Sequence, residues 1–322
     1  MNLSILYRGP LTSCNYGCRY CPFAKRHETE PQLLADQQSL VRFTTWLRCQ
    51  ADHQWQVLFT PWGEALVRSW YRAAIVELSQ LSNIACVSAQ TNLSCDLTWM
   101  RTCNRDRFTL WATYHPTETD RDRFLAKVRT LREWGVRLSV GMVGATEMLS
   151  EIETMRRFLP DDVYLWVNAQ QPRPRPYTDD EMARLAAVDP LFTWTAVRKV
   201  SRDLPCRTGE LAFTVDDAGE MRRCHFVDDV IGNIYDTNWE QALRPRSCPN
   251  RFCDCFLGQS QLHAETLTPF FGENLTARIP PARFSHQAIL STFSTPSDIA
   301  CTDTDRSSDS TYHRSTFDPK DE

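Results

Sequence analysis

The chain lacks any apolar run long enough to span a bilayer; its longest apolar stretches have the length of single strands. It lacks the basic-then-apolar opening of a secretory signal, because Arg8 and a cysteine-bearing loop follow the first apolar run at once. These two absences point to a cytosolic (cytoplasmic) protein with no membrane partner. It lacks a basic surplus: 36 Lys and Arg against 40 Asp and Glu leave a formal charge of −4, which gives nucleic acid no footprint. The one compact basic feature, Arg173 to Arg175, is interrupted by proline and reads as an extended connector. Carboxylates are plentiful, but no pair is singled out by spacing as an acid–base couple. What the chain has in excess is cysteine. Thirteen is high for a reducing compartment, where disulfides rarely persist. An odd number gathered at two places indicates metal or cluster ligation.

A length of 322 residues accommodates one large α/β domain and a small one. Up to about residue 204, strand-like and helix-like segments alternate, the pattern of an α/β fold with a parallel sheet. Strands are predicted at 4–7, 57–60, 84–90, 108–114, 136–140 and 163–167. Helices are predicted over 33–49, 67–81, 122–134, 147–159 and 179–187, with Gly135 as a stop signal.

Cys14, Cys18 and Cys21, spaced C-x3-C-x2-C just after the first strand, can turn three sulfurs toward one centre from a single loop. Three protein ligands on a four-iron cluster leave the fourth iron open, which is what a reactive metal centre needs. A zinc site would want a fourth Cys or His at short range, and none occurs before His27. Three unrelated core cysteines are the remaining reading.

This spacing resembles the signature of the radical S-adenosylmethionine (SAM) enzymes. The resemblance covers about residues 3–258. Around Tyr7 to Lys25 and Thr60 to Leu66 it extends to one bacterial subfamily of unsettled substrate. It implies a partial (β/α)6 barrel over residues 1–204, with its chemistry on the loops at the C-terminal ends of the strands. It further implies a 4Fe–4S cluster on Cys14, Cys18 and Cys21, with SAM chelating the open iron through its amino and carboxylate groups and Tyr20 packing on the adenine. Trp62, Gly63 and Glu64 stand where the family has Gly-Gly-Glu, whose backbone and glutamate contact the SAM amino group. Trp62 and Ala65 depart from the family's glycine and proline. Thr91 and Asn92 end the third strand and are further candidates. Without the family, Glu64 is a residue that favours a helix N-terminus, and Thr91 and Asn92 are common turn residues.

From Cys206 to Cys224 the chain reads as a β-hairpin turning at Asp216 to Gly219, which brings cysteines at its two outer ends together. Cys248, Cys253 and Cys255 follow. The C-x12-G-x4-C spacing resembles the opening of the SPASM and twitch extensions of radical SAM enzymes. It implies a twitch-like domain over 205–262 holding one auxiliary 4Fe–4S cluster on Cys206, Cys224 and two or three of the others. The competing reading is a structural zinc site of the ribbon kind. His225 is expected at the surface. Residues 263–322, dominated toward their end by Ser, Thr and Asp, are expected to form a low-complexity, mostly disordered tail.

The implied reaction is reductive cleavage of SAM to a 5′-deoxyadenosyl radical that abstracts hydrogen from a peptide or protein side chain. A flavodoxin- or ferredoxin-like reductant would supply the electron, and a separate carrier protein would present the peptide. The alternatives are dehydrogenation of a small polar molecule and a non-catalytic, metal-stabilised binding protein.

Overall fold

The computed structural model describes residues 1–23, 26–171, 173, 175–197, 199–253, 255–262, 264–272 and 275–280. Six strands, β1 (Asn2–Tyr7), β2 (Gln54–Phe59), β3 (Ile84–Thr91), β4 (Phe108–Thr113), β5 (Arg137–Gly144) and β6 (Leu165–Ala169), lie side by side in chain order. Each pairs with the next in parallel. Parallel neighbours need a crossover. It is supplied by α1 (Glu30–Arg48), α2 (Ser69–Gln80), α3 (Arg121–Glu133) and α4 (Leu149–Phe158). Between β3 and β4 a short 3-10 turn, Thr98–Thr102, does the same work.

Local signals set the ends of these elements. The Thr29 N–H donates to Gln32 Oε1 at 2.8 Å where α1 begins. The Asp120 side chain accepts from the N–H groups of Asp122 and Arg123 at the start of α3. Gly135, at φ +74°, ends that helix in the left-handed conformation glycine adopts without strain.

A parallel sheet must be covered on both faces. Alternation sends Leu3, Ile5 and Tyr7 outward, into a core with Phe43 and Leu47 of α1 and Ile75 and Leu78 of α2. It sends Leu6, Leu58, Trp111 and Trp166 to the inner face. Gly141 of β5 makes room there, since a Cβ would come within 1.9 Å of the Trp166 indole.

After β6 come α5 (Asp179–Val188), α6 (Phe192–Ala196) and two-residue strands β7 (Lys199–Val200) and β8 (Pro205–Cys206). The expected hairpin follows as β9 (Ala212–Val215) and β10 (Glu220–Arg222), turned by Gly219 at φ +82°, with β11 (Val230–Asn233) beside it. β9 pairs in parallel with the free edge of β1, Ser4 opposite Ala212 and Tyr7 opposite Val215. The result is one nine-stranded sheet, β11-β10-β9-β1-β2-β3-β4-β5-β6. The hairpin is therefore continuous with the sheet of the barrel. β12 (Arg246–Ser247) pairs with β8, and β13 (Phe252–Cys253) with β7.

The inner face is filled from far along the chain. Phe256 and Leu257 of α7 (Phe256–Leu262), Leu267 and Phe271 of α8 (Ala264–Phe271), and Leu275 pack with Leu6, Leu58, Trp111 and Trp166. Ser139 of β5 donates to the Ala277 carbonyl at 2.7 Å. Arg278 is fully buried, 3.4 Å from Asp189 and with its guanidinium carbon 3.4 Å from the centre of the Phe256 ring. Described residues from 264 to 280, which composition assigns to the tail, are thus packed protein, because the apolar inner face needs a cover. The stretch 281–322 lies outside the described residues. Among the described residues no helix is long and apolar enough to cross a membrane.

Phe271 is fully buried, edge-on to Tyr164 with ring centroids 5.5 Å apart. Phe271→Ala is expected to lower unfolding stability by about 3–5 kcal/mol, as in other cores. Denaturant unfolding checks it; a change within about 0.5 kcal/mol, the scale of a surface site, would mean that this segment carries no packing.

Candidate functional site

The loop after β1 carries Cys14, Cys18 and Cys21, with Cys18 buried and the other two partly so. Its first residues are fastened from several directions. Glu28 Oε1 accepts from the Thr12 N–H at 2.5 Å, the Thr12 hydroxyl at 2.9 Å and the Ser13 N–H at 2.8 Å. Arg68 donates to Ser13 Oγ at 3.0 Å. The Ser13 carbonyl accepts from the Glu64 N–H at 3.0 Å. A Cβ on Gly63 would lie 1.8 Å from that same carbonyl oxygen, so only glycine lets the loop after β2 approach the cysteine loop this closely.

Glu64 sits at the centre of the arrangement. Its carboxylate is buried and accepts from the Leu66 N–H at 3.0 Å, the Thr91 hydroxyl at 2.8 Å and the Asn92 N–H at 2.6 Å. Burial pushes Glu64 up to about 7 against the pull of these three donors. Thr91 and Asn92, at the end of β3, are thereby drawn to the triad. The Asn92 amide donates to Asn15 Oδ1 at 3.1 Å and to Cys14 Sγ at 3.8 Å. The Tyr16 N–H also points at Cys14 Sγ, at 3.4 Å. The Cys14 sulfur thus has two donors.

Tyr20 is held by a residue that sequence reasoning missed. Its hydroxyl lies 2.9 Å from His115 Nδ1, and the two rings stack with centroids 5.9 Å apart and planes 14° apart. Tyr16 meets His115 edge-on at 6.0 Å. Burial pulls His115 down to about 4, so the imidazole is neutral at physiological pH. The available signal was positional: His115 follows β4, at the same end of the sheet as the loops after β1, β2 and β3.

The second cysteine group converges as well. Cys206, Cys224, Cys248 and Cys253 line one cavity together with Arg223, Asn250 and Gly258. Two short pairings gather them: Cys206 lies opposite Arg246, two residues before Cys248, and Cys253 lies opposite Lys199. A Cβ on Gly258 would be 2.8 Å from Cys253 Sγ, so glycine keeps that thiol clear. Cys255 is not among the lining residues and packs against the inner core of the barrel. Among the described residues, no three Cys, His, Asp or Glu side chains are gathered tightly enough for a single metal ion. A tetrahedral zinc, with Zn–S near 2.3 Å, would draw its sulfurs to about 3.8 Å of one another. In a four-iron cluster each thiolate binds its own iron and the sulfurs stand further apart. An all-cysteine donor set suits either group.

Trp62 lies where the two groups approach each other. Its ring is 4.6 Å from that of Phe23, two residues past Cys21, and 6.4 Å from that of His225, next to Cys224. The guanidinium carbon of Arg8 sits 4.2 Å from the centre of the Trp62 ring. Burial pulls Arg8 down to about 10, which leaves it cationic at neutral pH. His225, expected at the surface, is part of this junction.

No protein-family model matches the chain, and no curated protein matches it in sequence. Solved structures do match. Native anSMEcpe with bound AdoMet and a Cp18Cys peptide gives a TM-score of 0.52 at 15% identity, over 74% of this chain and 79% of that one. The same protein with AdoMet and a Kp18Cys peptide gives 0.53 at 13%, over 74% and 80%. anSMEcpe is a radical SAM enzyme, and at these identities the likeness is one of fold. This chain shares the fold of these structures: a partial parallel barrel, here with the cysteine triad on the loop after β1.

Two outcomes follow from this geometry. Glu64→Gln turns an amide NH2 toward one of three donors and leaves it unsatisfied; a loss of about 1–3 kcal/mol in urea unfolding is expected. His115 stays neutral down to about pH 4 in the fold, against 6.5 for the free side chain. Between those values the unfolded chain binds the extra proton, so stability falls as pH drops through that window. His115→Gln should flatten the difference between urea midpoints at pH 7 and pH 5; an unchanged pH dependence would place the titration elsewhere.

Proposed function

We propose that the protein is a radical SAM enzyme acting on a peptide or protein side chain. The observation that carries the reading is the convergence of the triad with Gly63, Glu64, Thr91 and Asn92 at one end of the barrel. The residues fit a 4Fe–4S cluster with one open iron. Three thiols come from one loop, and two hydrogen-bond donors face Cys14 Sγ. When bound, that cluster supplies the electron that splits SAM into methionine and a 5′-deoxyadenosyl radical, which takes a hydrogen from the substrate.

The chain's own residues prepare the place. Tyr20, braced by His115, presents an aromatic wall beside Cys21 suited to the adenine. The loop of Trp62 and Gly63, locked by Glu64 to Thr91 and Asn92, offers backbone and amide groups to the amino-acid end of SAM. Cys206, Cys224, Cys248 and Cys253 would hold an auxiliary 4Fe–4S cluster, with Arg223 as a cation at its side. The peptide reading draws support from the twitch-like spacing of the hairpin and from anSMEcpe, whose structures hold bound peptides. A cytoplasmic location, a flavodoxin- or ferredoxin-like reductant and a carrier that presents the peptide belong to the same reading.

The test is SAM cleavage by anaerobically reconstituted, reduced protein. Two clusters correspond to about eight irons per chain. The wild type should form 5′-deoxyadenosine, Cys18→Ala should form none, and Cys224→Ala should lose iron while keeping the spectrum of the first cluster. Wild type that binds no iron at the triad would end the proposal.

A further inference from the structure

Arg8 has no role in the arrangement described so far, yet its position is costly. It is the next inward-facing residue after Leu6, since Tyr7 belongs to the outer core and Leu6 to the inner one. Its N–H is used by the sheet, donating to the Val215 carbonyl at 2.9 Å. The side chain therefore enters the mouth of the barrel at the end of β1, between the triad and the four-cysteine cavity. Among the described residues its guanidinium has no hydrogen bond and no ion pair, and Nε is closed off from solvent. Its face lies on the Trp62 ring, and its charge also bears on His225. Among the described residues, the groups of negative sense that act on it are the thiols of Cys255 and Cys224.

Of the Arg8 nitrogens, Nε is closed off from solvent without a partner, and the ring contact is worth about 0.5–2 kcal/mol. The four-cysteine cavity already has a cation of its own, Arg223, and Arg8 is not among the residues lining it. The space left to Arg8 is the barrel mouth, where the proposed reaction places its substrate.

We infer that Arg8, stacked on Trp62, is an oxyanion-binding residue that anchors a carboxylate or phosphate group of the substrate. The inference rests on the proposed reaction only for the word substrate; the anion site itself is a property of the folded chain. Arginine suits the task because its planar donor edge meets two oxygens at once while its face lies on an aromatic ring. Trp62 then has a reason to stand where the radical SAM family has glycine: it is the platform for that guanidinium.

The experiment follows the urea midpoint of the reconstituted full chain in acetate, inorganic phosphate and chloride at matched ionic strength. Acetate or phosphate is expected to raise the wild-type midpoint saturably over chloride, by mass action on the folded state. Whichever of the two acts names the group. Arg8→Met should lose the anion response. Arg8→Lys should keep part of it. No anion response in the wild type, or an unchanged response in Arg8→Met, overturns the inference. So does an Arg8→Met protein that keeps its anion response while the midpoint potential of the second cluster moves, which would make Arg8 a counterion of that cluster. Protein that responds to the anion through Arg8 but never cleaves SAM leaves the anion site standing and removes the proposed reaction.

Discussion

The approach of Gly63 to the Ser13 carbonyl is the constraint on which the functional end of the barrel depends. Two backbone segments touch there with no room for a side chain, and the Glu64 N–H closes the contact with a hydrogen bond. The step from Gly63 to Glu64 then sends a carboxylate into the interior, where it is tolerable only with donors. Those donors come from Leu66, Thr91 and Asn92, so the ends of β2 and β3 become one unit with the cysteine loop. Asn92 completes the circuit by returning to Cys14 and Asn15. The geometry of the triad is inherited from a buried carboxyl group on the neighbouring loop.

Much of this was legible in the sequence because it is written locally. Strand periods, the stop at Gly135, the C-x3-C-x2-C loop and the hairpin between Cys206 and Cys224 each occupy a short window. Thr91 and Asn92 could be singled out only by their place at a strand end, and the structure brings Thr91 to Glu64 and Asn92 to both Glu64 and Cys14. Glu28 and His115 left no local trace. Their partners are Thr12 and Ser13 in one case and Tyr20 in the other, and hydrogen bonds that close long loops have no periodicity to read. Cys255 could not be told from Cys253 by spacing: both lie near Cys224, and Cys253 lines the cavity while Cys255 also packs against the inner core.

The C-terminal segment was hidden for a different reason. α8 carries Pro269 within it, a residue that argues against a helix interior when read alone. Its apolar residues also stand next to a stretch whose composition falls toward Ser, Thr and Asp. Yet Leu6, Leu58, Trp111 and Trp166 form an apolar inner wall that six strands cannot close over. Some part of the chain has to cover it, and the short elements before residue 255 are engaged in pairing β7, β8, β12 and β13. The need for a cover was visible in the strand pattern, while the identity of the cover was not.

Two arginines inside this barrel show how the fold treats a charge it keeps for itself and one it holds open. Arg278 faces Phe256 and has Asp189 at 3.4 Å, and Asp189 is itself tied to Tyr164, Val167 and Leu191. Cation, ring and carboxylate are all supplied internally, and the pair helps to fix the C-terminal segment in place. Arg8 has the ring, Trp62, and lacks the carboxylate. A fold that gives one guanidinium a carboxylate and, among the described residues, leaves the other with a ring alone, at the mouth of the barrel between two cysteine groups, treats the second as half of a pair whose other half arrives from outside.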